Sequence, residues 1–223
     1  LGDAAARQDA ELRKEEAQVT ELALLGLYEA VARRYLNYLE PNTCVEQTRI
    51  LIEVLRKFGV EAEAFGVVLV VKCPSKGFQF VAGMDEKEAA EGRKKVTASW
   101  IEKTNSDGLT YPGRHVVALV NRSILVDATV SQASNTEFDF HLDRQILVVP
   151  FPKPLLPGRH VDALIQAATE DGCQFTIEYL SRPERDWEKD DGWEPSHLWK
   201  LIDRIAEEML QRIAEDAHKL SVH

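Results

Sequence analysis

Apolar positions in the first sixty residues recur at three- and four-residue steps, the period of an amphipathic helix. Residues 3–19 are the exception: good helix formers, polar almost all round, which predicts a frayed extension or a surface helix that needs a partner. From Val19 a stripe of Leu24, Leu27, Tyr28, Val31, Tyr35 and Leu39 predicts a helix that Pro41 ends. A second helix begins at Asn42-Thr43 with Ile50, Leu51, Val54, Leu55 and Phe58 as its buried stripe. Gly59 then supplies the helix stop, with Val60 as its hydrophobic contact.

The period then changes. Phe65 to Val71 is too apolar to leave a face open, and Phe78 to Ala82 is expected to pair with it across Cys73-Pro74-Ser75-Lys76-Gly77. Glu, Lys and Ala enrichment predicts a helix around 85–102, followed by a loop reaching Tyr111-Pro112-Gly113. His115–Val120 and Ile124–Val130 form the expected core hairpin, and Gln145–Val149 a strand stopped by prolines. A short helix is expected over 162–169 and a strand over 173–180, where Phe175, Ile177 and Tyr179 alternate. Residues 181–195 are charged and irregular, and carry Trp187 and Trp193. Leu198, Leu201, Ile202, Ile205, Met209, Ile213 and Leu220 mark one face of a final helix. Helices first, strands in the middle and a helix last predict an α+β fold with a largely antiparallel sheet. One domain is expected over 1–223: a core of about 42–150, an N-terminal helical extension 3–40 and a C-terminal helix 196–219.

Composition narrows the function classes. A formal net charge of −10 argues against phosphate-backbone binding, so no nucleic acid is expected as a partner. No apolar run is long enough for a transmembrane span. Charged residues rather than an apolar run follow the opening Leu1-Gly2-Asp3-Ala4, so no signal peptide is expected. Three widely spaced cysteines, Cys44, Cys73 and Cys173, do not suggest a disulfide framework, and no C-x-x-C pair offers a zinc site. The default is a reducing, cytoplasmic setting, in which a catalytic thiol survives. Cys73 reads as a structural or exposed thiol and Cys173 as a packing residue at a strand start.

Candidate chemistry begins at Thr43-Cys44-Val45-Glu46, which reads as a capping box opening the second helix. Cys44 then occupies the first helical position, where unpaired N–H groups and the helix dipole favour negative charge, and the thiolate is the nucleophilic form. His115 and Asp127 follow on successive strands. In a thiol acyl-transfer site the thiolate attacks a carbonyl, the histidine takes and returns a proton, and the carboxylate fixes the histidine. Side chains alternate across a sheet, so the hairpin turn decides whether the two can meet. A two-residue turn at Asn121-Arg122 would put Asp127 on the wrong face. A three-residue turn at 120–122 would place it opposite His115, and one at 121–123 would place it diagonally on the same face.

Asn42-Thr43-Cys44, with a long apolar helix ending in Leu55-Arg56-Lys57-Phe58-Gly59-Val60-Glu61-Ala62, resembles the nucleophile helix of the transglutaminase-like superfamily. His115 matches that family's histidine at the head of a strand, and Asp127-Ala128-Thr129 stands where the family usually has Asp-Pro-Thr. The likeness covers roughly residues 42–130. Two positions depart from the pattern: Thr43 stands where the family often has Gly, and Val117 where it often has an aromatic residue. The resemblance implies a papain-like fold, with the nucleophile helix packed on an antiparallel sheet that carries His and Asp. It also implies acyl transfer through a thioester, on a peptide, protein or small amide or ester substrate, by a peptidase, amidase or acyltransferase.

The triad needs neither cofactor nor metal. For the oxyanion, the Cys44 backbone N–H is the natural first donor, with Gln132 and Tyr111 as further candidates. His141 between Asp139 and Asp143 resembles a metal cluster but reads better as part of an edge strand. His160, His197, His218 and His223 read as surface residues, and the tryptophans as docking residues for the last helix. The competing expectation is a catalytically silent domain of the same fold that binds a protein partner. A small-molecule acyl donor is a third, which a deep closed pocket at Cys44 would favour.

Overall fold

The computed structural model describes residues 18–36, 43–83, 99–100, 102–104, 110–112, 115–134, 136, 139–142, 146–151, 162–182, 186–189, 193, 196 and 198–221. It is α+β, with three α-helices and a curled, largely antiparallel sheet among those residues. The expected extension over 3–17, the helix over 85–98, Asp143, and the histidines at 160, 197 and 223 lie outside them.

The chain divides into two compact units, residues 1–36 with 201–223 and residues 37–200. The first contains helix α1 (18–32) and nearly all of helix α3 (Trp199–Ser221). Glu208 of α3 accepts from Arg34 and from the Tyr35 hydroxyl, both at 2.6 Å, and the Arg204 guanidinium lies over the Tyr35 ring. The predicted stripes are visible in burial: Tyr28 and Val31 on α1, and Ile202, Ile205 and Met209 on α3, are all 0% exposed. Ile213, expected on the same face, is exposed.

The second unit begins with helix α2 (Cys44–Lys57), in which Ile50, Leu51, Val54 and Leu55 are buried. It stops as expected. The Val60 N–H reaches the Leu55 carbonyl, the Gly59 N–H reaches that of Arg56, and Gly59 takes φ +74°, a left-handed conformation that glycine adopts without steric cost.

Strand β1 (Ala62–Cys73) is the spine of the sheet. One edge pairs with β10 (Gln174–Arg182), and the other is shared by β6 (His115–Val120) and β2 (Phe78–Ala82). A strand paired on both edges and covered on both faces is apolar throughout, which accounts for the run from Val67 to Val71. Val67, Leu69, Val71 and Cys73 face the main core with Val117, Leu119, Leu125, Phe140, Phe175, Ile177 and Tyr179. Beyond β6 the sheet continues through β7 (Ile124–Asp127) to β8 (Leu147–Pro150), and beyond β10 to β9 (Ala163–Ala168).

Four expectations are corrected. Residues 163–168 form a strand rather than a helix: paired with β10, they alternate between half-buried and exposed, a period of two that overrides their helix propensity. Where the helix over 85–102 was to end, β3 (Ser99–Trp100) runs parallel to β2. The expected loop after it contains a two-stranded ladder, β4 (Glu102–Thr104) with β5 (Thr110–Pro112). Finally, Cys73 and Cys173 form a disulfide. The β1–β10 register sets Lys72 opposite Thr176, so Cys173 falls diagonally from Cys73, two residues beyond its register partner, although the two are 100 residues apart in sequence.

Candidate active site

The hairpin turn has the required parity. Ala118 stands opposite Val126, Leu119 opposite Leu125 and Val120 opposite Ile124, so the turn is Asn121-Arg122-Ser123. Asn121 and Arg122 take φ of 43° and 56°, and the Ser123 N–H closes on the Val120 carbonyl at 2.9 Å. Continuing that register sets His115 opposite Thr129 and leaves Asp127 on the diagonal, on the same face. The two side chains meet. His115 Nε2 lies 2.8 Å from Asp127 Oδ2, with both residues buried. An ionised carboxylate only accepts, so Nε2 carries the hydrogen and Nδ1 is left for another partner.

The Cys44 side chain lies close enough to His115 to act on its charge. The helix and strand are tied together one turn further on, where the Thr48 hydroxyl donates to the Val116 carbonyl at 2.8 Å. Thr48 is four residues after Cys44 and so on the same helix face, while Val116 directly follows His115. Val116 also packs with Cys44, Val45 and Trp187.

Asp127 is held from both sides. Its Oδ1 accepts the Thr129 N–H at 2.9 Å and the Thr129 hydroxyl at 3.3 Å, the local turn that an Asp-x-Thr sequence makes with its own backbone. Its Oδ2 accepts the Tyr179 hydroxyl at 2.8 Å as well as His115. Burial opposes charge on all these groups. For His115 burial pulls the pKa down, but the Asp127 charge, its hydrogen bond and the nearby Cys44 side chain outweigh burial and raise it to about 10. For Asp127 burial pushes upward, and the His115 charge with the His115, Thr129 and Tyr179 hydrogen bonds brings the pKa below its ordinary value. Burial and the adjacent carboxylate push Tyr179 well above its own.

The capping box at Thr43 does not form, and Thr43 makes no side-chain cap bond. Its Oγ1 instead accepts from Gln47 Nε2 at 2.6 Å and Gln132 Nε2 at 3.3 Å. Gln132 thus lies beside the residue that precedes Cys44. Tyr111 lies in β5, and its side chain is outside the described residues. Trp187, on a short 3₁₀ turn (Asp186–Lys189), packs beside Cys44, and Arg49 of α2 lies over the Trp193 ring at 4.7 Å. These tryptophans therefore serve the first turns of α2, a role that the irregular stretch around them gave no periodic signal for.

Comparison with protein families, characterised proteins and solved structures found no match.

Tyr179 and Gly83 were not singled out from sequence. Tyr179 looked like any core residue of an alternating strand. Gly83 takes φ +85°, and a Cβ there would stand 2.1 Å from the Val67 carbonyl oxygen and 3.3 Å from His115 Cβ. Only a residue without a side chain lets the backbone pass so close to the histidine.

His141 is 3.8 Å from Asp139, and among the described residues no group of three or more His, Cys, Asp or Glu side chains is placed to hold a metal ion. Nor is any described helix long and apolar enough to cross a membrane. A cavity of about 640 Å³ opens between β8, β9 and β10, lined by Leu147, Val149, Ile165, Phe175 and Ile177 among others. Cys44 and His115 are not part of its wall.

Proposed function

We propose that this protein is a thiol-dependent acyl-transfer enzyme of the transglutaminase-like, papain-like kind. The observation that carries the reading is the position of His115, bonded through Nε2 to buried Asp127 with the Cys44 side chain beside it. The Cys44 sulfur attacks the carbonyl carbon of an amide or ester, forming a C–S bond. As the tetrahedral intermediate collapses, the C–N or C–O bond breaks, and His115 passes its proton to the leaving amine or alcohol. Water or an amine then attacks the thioester while His115 takes its proton, and the thiolate departs. Water makes the enzyme a peptidase or amidase, and an amine makes it an acyltransferase. Asp127 holds the imidazole in register throughout.

Donors for the oxyanion are the Cys44 backbone N–H and the Gln132 amide, which Thr43 holds beside the helix start. The indole N–H of Trp187 is a further one, buried and without a hydrogen-bond partner among the described residues. No cofactor enters the scheme.

One observation favours the second reading, a silent domain that binds a protein partner: Cys44 is only 2% exposed. Alkylation separates the two. Cys44 is the free cysteine, since Cys73 and Cys173 are bonded to each other, so iodoacetamide uptake by the native protein reports on it alone. We expect Cys44 to react at least about tenfold faster in the wild type than in His115→Ala, because an imidazole beside the sulfur activates the nucleophile. Equal rates, or no uptake in the native protein, would move the assignment to the binding domain.

A further inference from the structure

We infer that Tyr179 is a positioning residue that weakens the hold of Asp127 on the His115 imidazolium and so keeps that proton transferable. The inference rests on the acyl-transfer reading of the triad. It is carried by one oxygen with two donors. Asp127 Oδ2 accepts from His115 Nε2 at 2.8 Å and from the Tyr179 hydroxyl at 2.8 Å. Two donors on one acceptor oxygen compete for the same electron density, so each bond is weaker than it would be alone. The other oxygen is already occupied by the Thr129 N–H and hydroxyl, which leaves the competition on the side that faces His115.

The tyrosine is 0% exposed, on a strand that reaches the site only through β1, where Leu69 is its register partner. A buried phenol needs a hydrogen-bond partner, which Asp127 supplies, whereas phenylalanine would fill much the same volume without needing one. The chemistry supplies a use for it. A buried aspartate with no other donor on Oδ2 would grip the imidazolium too tightly for it to protonate a leaving group, since a general acid works best near the operating pH. Tyr179 stabilises Asp127 more when His115 is neutral than when it is charged, and so favours proton release.

The groups that set this balance come from each neighbouring element. Asp127 on β7 and Cys44 on α2 act directly on His115. Tyr179 on β10 acts through Asp127. Arg182, also on β10, donates to the carbonyl of Gly83, which lies against His115. On the turn that carries Trp187, Glu188 is exposed. Of these, Tyr179 alone is an uncharged donor to the carboxylate oxygen that His115 uses.

The test is the titration of the His115 ring, followed by NMR in the full chain labelled at histidine Cε1. In the wild type His115 is expected to titrate near pH 10. Tyr179→Phe removes the competing donor and is expected to move that titration upward by about one pH unit, a tenfold change in the proton's affinity. A 3-fluorotyrosine at position 179 is a stronger donor of nearly the same size, and is expected to move it downward. A purely structural tyrosine would change thermal stability without shifting the titration in opposite directions. Should Tyr179→Phe not fold, the fluorinated residue decides alone. A His115 titration that neither replacement moves overturns the inference while leaving the triad reading intact. Cys44 alkylation that is indifferent to His115 overturns the triad reading itself.

Discussion

Asp127 has no exposed surface, yet it keeps its charge because Thr129, Tyr179 and His115 supply what water would have supplied. The consequence for stability follows from His115. Its pKa is raised from 6.5 unfolded to about 10 folded, so the folded state binds the extra proton between those values. The stabilisation is therefore complete below pH 6.5 and is lost as the pH rises towards 10. Urea unfolding at pH 7 and pH 10 should show the wild type losing more stability over that interval than His115→Gln. Parallel losses in the two proteins would mean that His115 is not charged in the fold. The sequence made this pair legible only as two residues on consecutive strands, and the parity of Asn121-Arg122-Ser123 decided that they meet. Tyr179 was illegible for a different reason. Its partner lies 52 residues away on a non-adjacent strand, and no local pattern marks a tyrosine whose hydroxyl has found a carboxylate.

Helix α2 is anchored at both ends, which fixes Cys44 against Val116. Its C-terminal stop was plain in Phe58-Gly59-Val60, since the left-handed turn after a helix strongly favours glycine. Its N-terminal capping box was equally plain and did not form, because Gln47 and Gln132 claim the Thr43 hydroxyl. The anchor near the Cys44 end is tertiary, the bond from Thr48 to the Val116 carbonyl. Thr48→Val keeps the shape of the side chain and leaves that buried carbonyl unpaired, so a loss of about 1–3 kcal/mol is expected in denaturant unfolding. Because Thr48 shares a face with Cys44 and Val116 adjoins His115, Cys44 alkylation should slow as well. A stability loss with unchanged alkylation would show that the helix start is held elsewhere. Strand β9 carries the opposite lesson. Ala163-Leu164-Ile165-Gln166-Ala167-Ala168 suits a helix by propensity, and pairing with β10 makes it a strand.

In the unit spanning 37–200, long-range ties hold the sheet beyond its hydrogen bonds. The disulfide joins the end of β1 to the residue before β10, and beside it Lys76 bridges Asp171 at 3.0 Å and Asp139 at 3.4 Å. Closing a loop of this length restricts the unfolded chain strongly, so replacing both cysteines by serine is expected to cost about 2–4 kcal/mol. Thiol titration of the denatured protein, with and without reduction, checks the bond directly. A double variant as stable as the wild type would show that the β1–β10 ladder holds the sheet by itself. Counting cysteines could not have found this pair, because the count is odd and the spacing is set by the whole sheet.

What depends on neighbours along the chain was settled by the sequence alone. The helical stripes of α1, α2 and α3, the stop at Gly59, the β1–β2 hairpin and the α+β order all follow from periods of 3.6 and 2 and from turn chemistry. What depends on neighbours across the chain only the tertiary structure decided. That set comprises the strand at 163–168, the Cys73–Cys173 bond, the place of Tyr179 on Asp127 and the passage of Gly83 against His115. The physical reason is the same in each case: these arrangements draw their free energy from contacts between distant segments, and such contacts leave no local period to read.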